Sequence, residues 1–291
     1  MSPDSPPPKR PPGLTDPGRT HPGRTHPGLT GVPETMLWTL HNRAAEAMRP
    51  NARFHDPEAV RIYLALAYDY ERHFGRADGS HAMRAAAIDA ILRRWLERHP
   101  DGTIVSLGEG LETQRHRVDN GRLSWLTVDL PEGIALRDHF LPPGPRVRHL
   151  AADARNPAWM DAVTGDGPVH IVAQGLFMYL PEADVRRLVA ALARRFPGGH
   201  LVFDTVPAWL SRLTLRGLHR TPHYRIPPMP WGIDADAVDP TLRSWSPQVA
   251  VVETLDYRMP RGLPRLMDTL FRLTPALRHK LPGLVRVEFE G

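Results

Sequence analysis

The sequence predicts an α/β fold with a mostly parallel sheet, and three observations predict it. Five short apolar runs, at 103–107, 123–128, 146–151, 168–173 and 200–206, alternate with segments of helical spacing, clearest from Pro181 to Phe196. The first run ends in paired glycines, Gly108-Glu109-Gly110. The next two runs end in acids, Asp129 and Asp153. Ligands of doubly wound sheets sit at the carboxyl ends of strands, where all three features fall.

Residues 1–32 read as a tail in an extended or disordered state. It holds the near-repeat DPGRT-HPGRT-HPGLT, and ten of the 32 prolines lie within 1–33, so it has little apolar surface to bury. A domain of 33–291 follows. Its first part, 33–100, carries three helical patterns: Leu37, Leu40, Ala44 and Met48 up to Pro50; a helix opened by Asp56-Pro57 through Tyr68; and Ser80–Arg98, with Met83, Ala87, Ile91 and Trp95 on one face. The alternating core spans 101–206. Residues 207–247, rich in Pro, Trp and Arg, contain RIPPMPWGID and read as an irregular insert. Residues 248–258 and 284–290 then read as strands flanking a helix at 263–273, ending the sheet in a hairpin-like return.

Bulk properties exclude several classes. The chain has no cysteine, so disulfides, thiolate metal sites and cysteine nucleophiles are absent. No run approaches the roughly 18 apolar residues that span a bilayer, and the N-terminus has no apolar segment of a secretory signal. A cytoplasmic protein without a membrane partner is expected. The net charge of +5 comes almost wholly from arginine, scattered among acids, with Lys9 and Lys280 the only lysines. No compact basic stripe with interleaved aromatics appears, so no nucleic-acid partner is expected. HExxH, GxSxG and P-loop patterns are missing, and the histidines are not clustered at ligand spacing, so no metal is expected.

The chemistry rests on the three strand ends. Glycines 108 and 110 let the backbone approach a ligand closely. Asp129, 19 residues beyond Gly110, stands where a carboxylate grips a ribose diol, and Asp153 can accept from an exocyclic amine such as that of adenine. Thr113 occupies the third glycine position of the dinucleotide fingerprint, and Glu112 places negative charge where a pyrophosphate would lie. A cationic, phosphate-free nucleoside, S-adenosyl-L-methionine, fits better, with Arg43 on the first helix available for its carboxylate.

Six stretches carry a more specific likeness: ETMLWTLHNRAAEAMRP with DPEAV (34–60), VSLGEGLETQRHRV (105–118), WLTVDLPEGIALRDHFLP (125–142), AADARNPAWMDAV (151–163), VAQGLFMYLPEADVRRLV (172–189) and LVFDTVP (201–207), extended by PPMPWG (227–232). Together they resemble the leucine carboxyl methyltransferase family, in its bacterial branch of polyketide-type O-methyltransferases. The resemblance implies a Rossmann-like class I methyltransferase sheet with an antiparallel C-terminal strand, an N-terminal helical cap and a substrate lid at 207–247. It also implies that Arg43 holds the methionyl carboxylate, that Gly108 and Gly110 line the methionyl pocket, and that Asp129 with Leu130 binds the ribose. Asp153 with Ala154 would contact the adenine, and Gln174 would sit by the methionine moiety. Glu112, Gln114 and Gln174 depart from the family's usual residues.

The acceptor is expected to be a small-molecule or peptide carboxylate, or a phenol. A carboxylate is already nucleophilic at neutral pH, whereas a phenol needs a base. Tyr179 is the first candidate to clamp it, followed by Arg212, Arg216, His219, Arg220, His223, Tyr224 and Arg225 in the insert. Two other readings stand beside this one: a nicotinamide-dependent oxidoreductase on the same sheet, and a non-catalytic partner subunit that binds the cofactor. No oligomeric state follows from the sequence.

Overall fold

The computed structural model describes residues 28–291 apart from 165, 166, 256 and 261; the side chains of 262–264 are also outside the description. Most of the tail expected at 1–32 therefore lies outside the described residues. Its last part does not behave as a free tail: Leu29 packs against the apolar cluster of the N-terminal helices.

Four helices precede the sheet, one more than the sequence pattern predicts. They are α1 (Thr35–Ala47), α2 (Pro57–Ala65), α3 (Tyr70–Phe74) and α4 (Ser80–Arg98). Local chemistry sets their starts. Asp56 caps α2 by accepting from the Ala59 N–H at 3.0 Å, with Pro57 in the first turn. Asp69 caps α3 in the same way through Arg72. With five residues, α3 is too short to show a periodic stripe. In α4 Trp95 is buried as expected, but otherwise the buried face is displaced: Ala85, Ile88 and Leu92 are fully buried, while Met83, Ala87 and Ile91 are only half-buried.

The sheet comprises β1 (Thr103–Leu107), β2 (Ser124–Asp129), β3 (Val147–Ala151), β4 (Val169–Ala173), β5 (His200–Thr205), β8 (Val249–Leu255) and β9 (Gly283–Phe289), in the order β3-β2-β1-β4-β5-β9-β8. The first five pair in parallel, and β9 inserts antiparallel between β5 and β8. Every residue of β4 is buried, as a central parallel strand with both faces covered requires. Alternate residues feed opposite layers. Val105, Ile171 and Phe203 join one cluster with helix α7 (Glu182–Arg195), while Ile104, Val172 and Val202 join another with Ile88, Leu92 and Trp95 of α4. Helices α5 (Gln114–Val118) and α6 (Pro131–Phe140) follow β1 and β2.

Residues 207–247 are more regular than expected. They form α8 (Ala208–Leu215), a hairpin of β6 (His219–Thr221) and β7 (Tyr224–Arg225), an extended stretch, and α9 (Ala235–Trp245) with Pro240 inside it. Much of this segment is core. Trp231, Val238 and Leu242 join the α7 layer, and Tyr224, Ile226 and Met229 pack with α1–α3. Proline and glycine masked a helix whose burial comes from long-range packing. Helix α10 (Gly262–Leu273) links β8 to β9.

Candidate functional site

A cavity of about 330 Å³ opens where strand order reverses between β1 and β4. It is lined by the carboxyl ends of β1 to β4 and roofed by Val32, Pro33, Thr35, Met36 and Thr39 at the start of α1. Of the residues singled out from the sequence, Gly108, Gly110, Asp129, Leu130, Asp153, Ala154, Gln174 and Tyr179 all line it. Arg43 does not.

The loop after β1 needs its glycines. Gly108 and Gly110 have φ of 62° and 51°, in the left-handed region. A Cβ at Gly108 would lie 3.0 Å from Leu176, and one at Gly110 would lie 3.0 Å from Met36. The loop is held from beneath by Arg137, which donates to the carbonyls of Gly110 (2.9 Å) and Glu112 (2.7 Å) and to Glu109 (2.8 Å). Glu109 also accepts from Trp125 and Thr127. Burial pushes the Glu109 carboxyl upward, against the opposing pull of Arg137. Its role here is to anchor the loop.

Asp129 ends β2 with both carboxylate oxygens engaged. Oδ2 accepts from the Gly110 N–H at 2.6 Å and Oδ1 from the Leu130 N–H at 2.7 Å. Gly133 allows α6 to approach, since a Cβ there would lie 2.9 Å from the carboxylate. Burial raises the Asp129 pKa, opposed by these two N–H donors. A carboxylate has about four lone-pair sites, so two remain for a diol. Asp153 lines the cavity beside Ala154, but its carboxylate is already chelated by the Arg155 guanidinium, at 2.9 Å to Nε. That contact holds its pKa below the usual range.

Arg43 is fully buried inside an ion network behind the loop. It donates to Asp56 (2.9 Å), Thr113 (2.7 Å) and the Leu111 carbonyl (2.8 Å), and its Nε lies 3.2 Å from Glu112. Arg117 joins the same acids and adds Asp89. Burial opposes the Glu112 charge, yet Arg43 and Arg117 outweigh it and hold its pKa near 2. The repulsion that the sequence suggests between Glu112 and an anionic ligand is thus compensated within the protein. The network exists because Asp56, Asp89 and Glu112 come together only in three dimensions.

The cation that does line the cavity is Arg84, on α4. It ion-pairs with Asp204 at the end of β5 (2.6 Å), and Asp204 accepts in turn from the Gly175 N–H at 2.6 Å. Burial disfavours the Arg84 charge, but Asp204 more than restores it and the pKa is raised. A signal for Arg84 did exist in the sequence. It shares a helical face with Ile88 and Leu92, and an arginine on a buried stripe needs a partner or a task. Beside it stand Gln114 and Gln174, whose amides donate to Asp89 (2.9 Å) and Glu112 (3.2 Å). The Nε of Arg84 and the Oε1 atoms of Gln114 and Gln174 are buried without a hydrogen-bond partner. A cation and two amide oxygens without protein partners, on residues that line one cavity, match the carboxylate and ammonium of an amino-acid zwitterion.

Tyr179 lies in a tight turn after β4 (Phe177–Tyr179) and lines the cavity with Thr35. Burial pushes its phenol to about 12, so it is a donor at neutral pH. The cavity lining contains no histidine and no residue of 207–247. Among the insert candidates, Tyr224 is buried against Trp38 and Phe74, and Arg220 stacks 5.3 Å from the Trp38 ring and pairs with Asp78. Arg212, Arg216, His219, His223 and Arg225 are exposed. Among the described residues no group of three or more His, Asp or Glu is arranged to hold a metal, and no helix is long and apolar enough to cross a membrane.

Comparison with known proteins matches residues 37–193 to the leucine carboxyl methyltransferase family. The tetracenomycin polyketide synthesis O-methyltransferase TcmP of Streptomyces glaucescens is 33% identical over 187 residues, covering 63% of this chain and 69% of the relative. The S-adenosyl-L-methionine-dependent methyltransferase dpfgK of Gibberella zeae is 30% identical over 199 residues, covering 60% of this chain and 66% of its own. A crystal structure of a possible exported protein from Bordetella parapertussis shares the fold, with a TM-score of 0.51, 16% identity, and coverage of 88% of this chain and 79% of that one.

Proposed function

Because this chain belongs to the leucine carboxyl methyltransferase family and is an S-adenosyl-L-methionine-dependent methyltransferase, we propose that it methylates a carboxylate oxygen of a small polyketide-type acid. When bound, the cofactor supplies a methyl group on a sulfonium, which an acceptor oxygen takes by in-line displacement. The chain's part is to hold and orient. Asp129 with Leu130 grips the ribose, Asp153 and Ala154 border the base, and Gly108 and Gly110 admit the ligand against the backbone. Arg84 replaces Arg43 as the clamp on the amino-acid carboxylate, and the open oxygens of Gln114 and Gln174 receive the ammonium. This donor set is the observation that carries the reading. A dinucleotide offers no zwitterion to satisfy it, so the nicotinamide alternative loses its support.

The choice of a carboxylate rests on where the acids of the cavity stand: Asp129 and Glu132 lie at the end of β2 assigned to the ribose, and Asp153 is held by Arg155. No histidine lines the cavity, Tyr179 holds its proton to about 12, and Glu112 and Asp204 are tied to arginines. A phenol would need one of these groups as base, whereas a carboxylate needs none. Tyr179 then donates a hydrogen bond to the acceptor and fixes its approach, and orientation of this kind can supply much of the acceleration. The test is transfer of isotopically labelled methyl from S-adenosyl-L-methionine to an aromatic polyketide acid, beside its phenol-only analogue. The expected product is an ester that mild alkali cleaves to methanol. Alkali-stable label on the phenol would refute the acceptor assignment. Cofactor binding with no transfer to either acceptor would favour a non-catalytic partner subunit.

A further inference from the structure

Eleven large hydrophobic side chains are exposed among the described residues, and six of them lie on two adjoining helices. Leu266, Leu270 and Leu273 of α10 follow helical i, i+4, i+7 spacing and are 65%, 53% and 78% exposed, with Met267 beside them. Leu213 and Leu215 lie on α8. Trp209 joins the two helices: its Nε1 donates to the Lys280 carbonyl at 2.9 Å, and its ring lies 6.4 Å from that of Phe271. The opposite side of α10 is anchored. Asp268 is buried and pairs with Arg272, which also donates to the Tyr257 carbonyl.

Charge on the two helices is mainly basic, with acids at the margin: Asp234 accepts from the Ala208 N–H and pairs with Lys280, and Asp236 lies 3.9 Å from His279. Residues 205–233 contain four arginines and no acid, and residues 257–287 contain seven Lys or Arg and a single acid, the buried Asp268. Arg212 and Arg216 flank the α8 leucines, and Arg258, Arg265 and Arg278 surround the α10 stripe, all exposed.

We propose that α10, with α8 beside it, is a docking surface for an anionic phospholipid membrane, lying flat in the interface with its leucines in the acyl boundary. Two features choose this occupant. A second copy of the chain would bring two like-charged faces together. A protein partner gripping by shape relies on aromatic anchors, whereas this stripe presents Leu and Met, side chains suited to a fluid apolar phase under a basic rim.

The test is flotation of the full chain with vesicles of phosphatidylcholine alone and of equimolar phosphatidylcholine and phosphatidylglycerol. Binding to the anionic vesicles only, weakened by salt, is expected. The triple variant Leu266→Ser, Leu270→Ser, Leu273→Ser should lower partitioning at least about a hundredfold, and Arg265→Glu with Arg278→Glu should do so by charge. In both variants S-adenosylhomocysteine affinity and melting temperature should stay as in the parent. No flotation at low salt, or flotation untouched by either variant, overturns the proposal. So does retention on polyglutamate without vesicle binding, or a dimer in sedimentation that the leucine variant dissolves. Because cofactor affinity is read separately, failure here leaves the methyltransferase reading standing, and the reverse holds.

Discussion

Two arginines on neighbouring helices, both buried, do different work, and the distinction sits in their partners. Arg43 lies outside the cavity lining, bonded to Asp56, Thr113 and the Leu111 carbonyl and ion-paired with Glu112, so it braces the glycine loop from behind. Arg84 lines the cavity and is held by a single acid, Asp204. Arg84→Lys should retain the charge next to Asp204 yet lose the guanidinium geometry, weakening S-adenosylhomocysteine binding about tenfold or more by calorimetry. Arg43→Met should instead strand buried acids and lower stability by roughly 3–5 kcal/mol in denaturant titration. If the two effects were exchanged, the clamp would be Arg43 after all. Asp129→Ala removes the ribose acceptor and releases the Gly110 and Leu130 N–H groups; the expected loss of cofactor affinity is about 1–3 kcal/mol.

At the level of elements, the strand–loop–helix unit around β1 is the working part. Gly110 has a left-handed φ, and a Cβ added to it would stand 3.0 Å from Met36 of α1, so loop and roof are fitted to each other. Gly110→Ala should therefore cost roughly 1–2 kcal/mol of strain and weaken cofactor binding, while an alanine at Gly121, whose added Cβ meets nothing within 4 Å, should leave affinity unchanged. The roof itself begins earlier than the predicted domain boundary at residue 33, because Val32 lines the cavity and Leu29 packs below it. Composition set that boundary, and composition does not record which short apolar residues find a neighbour. The same limit applies at 207–247. Proline content hid α9, and the lid expected there is largely core and hairpin, while α1 covers the cavity.

For the whole molecule, the amino edge of the sheet carries a second kind of pressure. His170, at the start of β4, is buried between Trp95 and His200, with ring centroids at 5.3 Å and 5.5 Å. Burial drives its pKa down to about 3, and neighbouring His200 adds to the shift. Between that value and the ordinary 6.5, the unfolded chain binds a proton that the folded chain refuses. Stability should thus fall as pH drops from about 6.5 towards 3, by up to roughly 1.4 kcal/mol per pH unit from this group. Urea titrations between pH 7 and 4 should show a slope to which His81, also driven to about 3 by burial, adds a like share, and His170→Phe should reduce it by roughly 1.4 kcal/mol per pH unit. The exposed leucines of α10 belong to this scale too. A search for an uninterrupted apolar run passes over them, because a helix lying in an interface spreads its apolar residues over every third or fourth position.

Local patterning was enough to determine the alternation of strands and helices, the boundaries of β1 and α4, and the strand-end residues Gly108, Gly110, Asp129 and Asp153, while Gln174 came from the family resemblance. Period-two and period-3.6 burial, and glycine's tolerance of positive φ, are written residue by residue along the chain. Tertiary structure alone decided which arginine faces the cavity, which arginines neutralise Glu112, and that Gln114 joins Gln174 as an acceptor without a protein partner. Those outcomes depend on partners 25 to 120 positions away in the chain. A charge acquires its role from whatever groups share its burial, and no spacing rule within one helix carries that information.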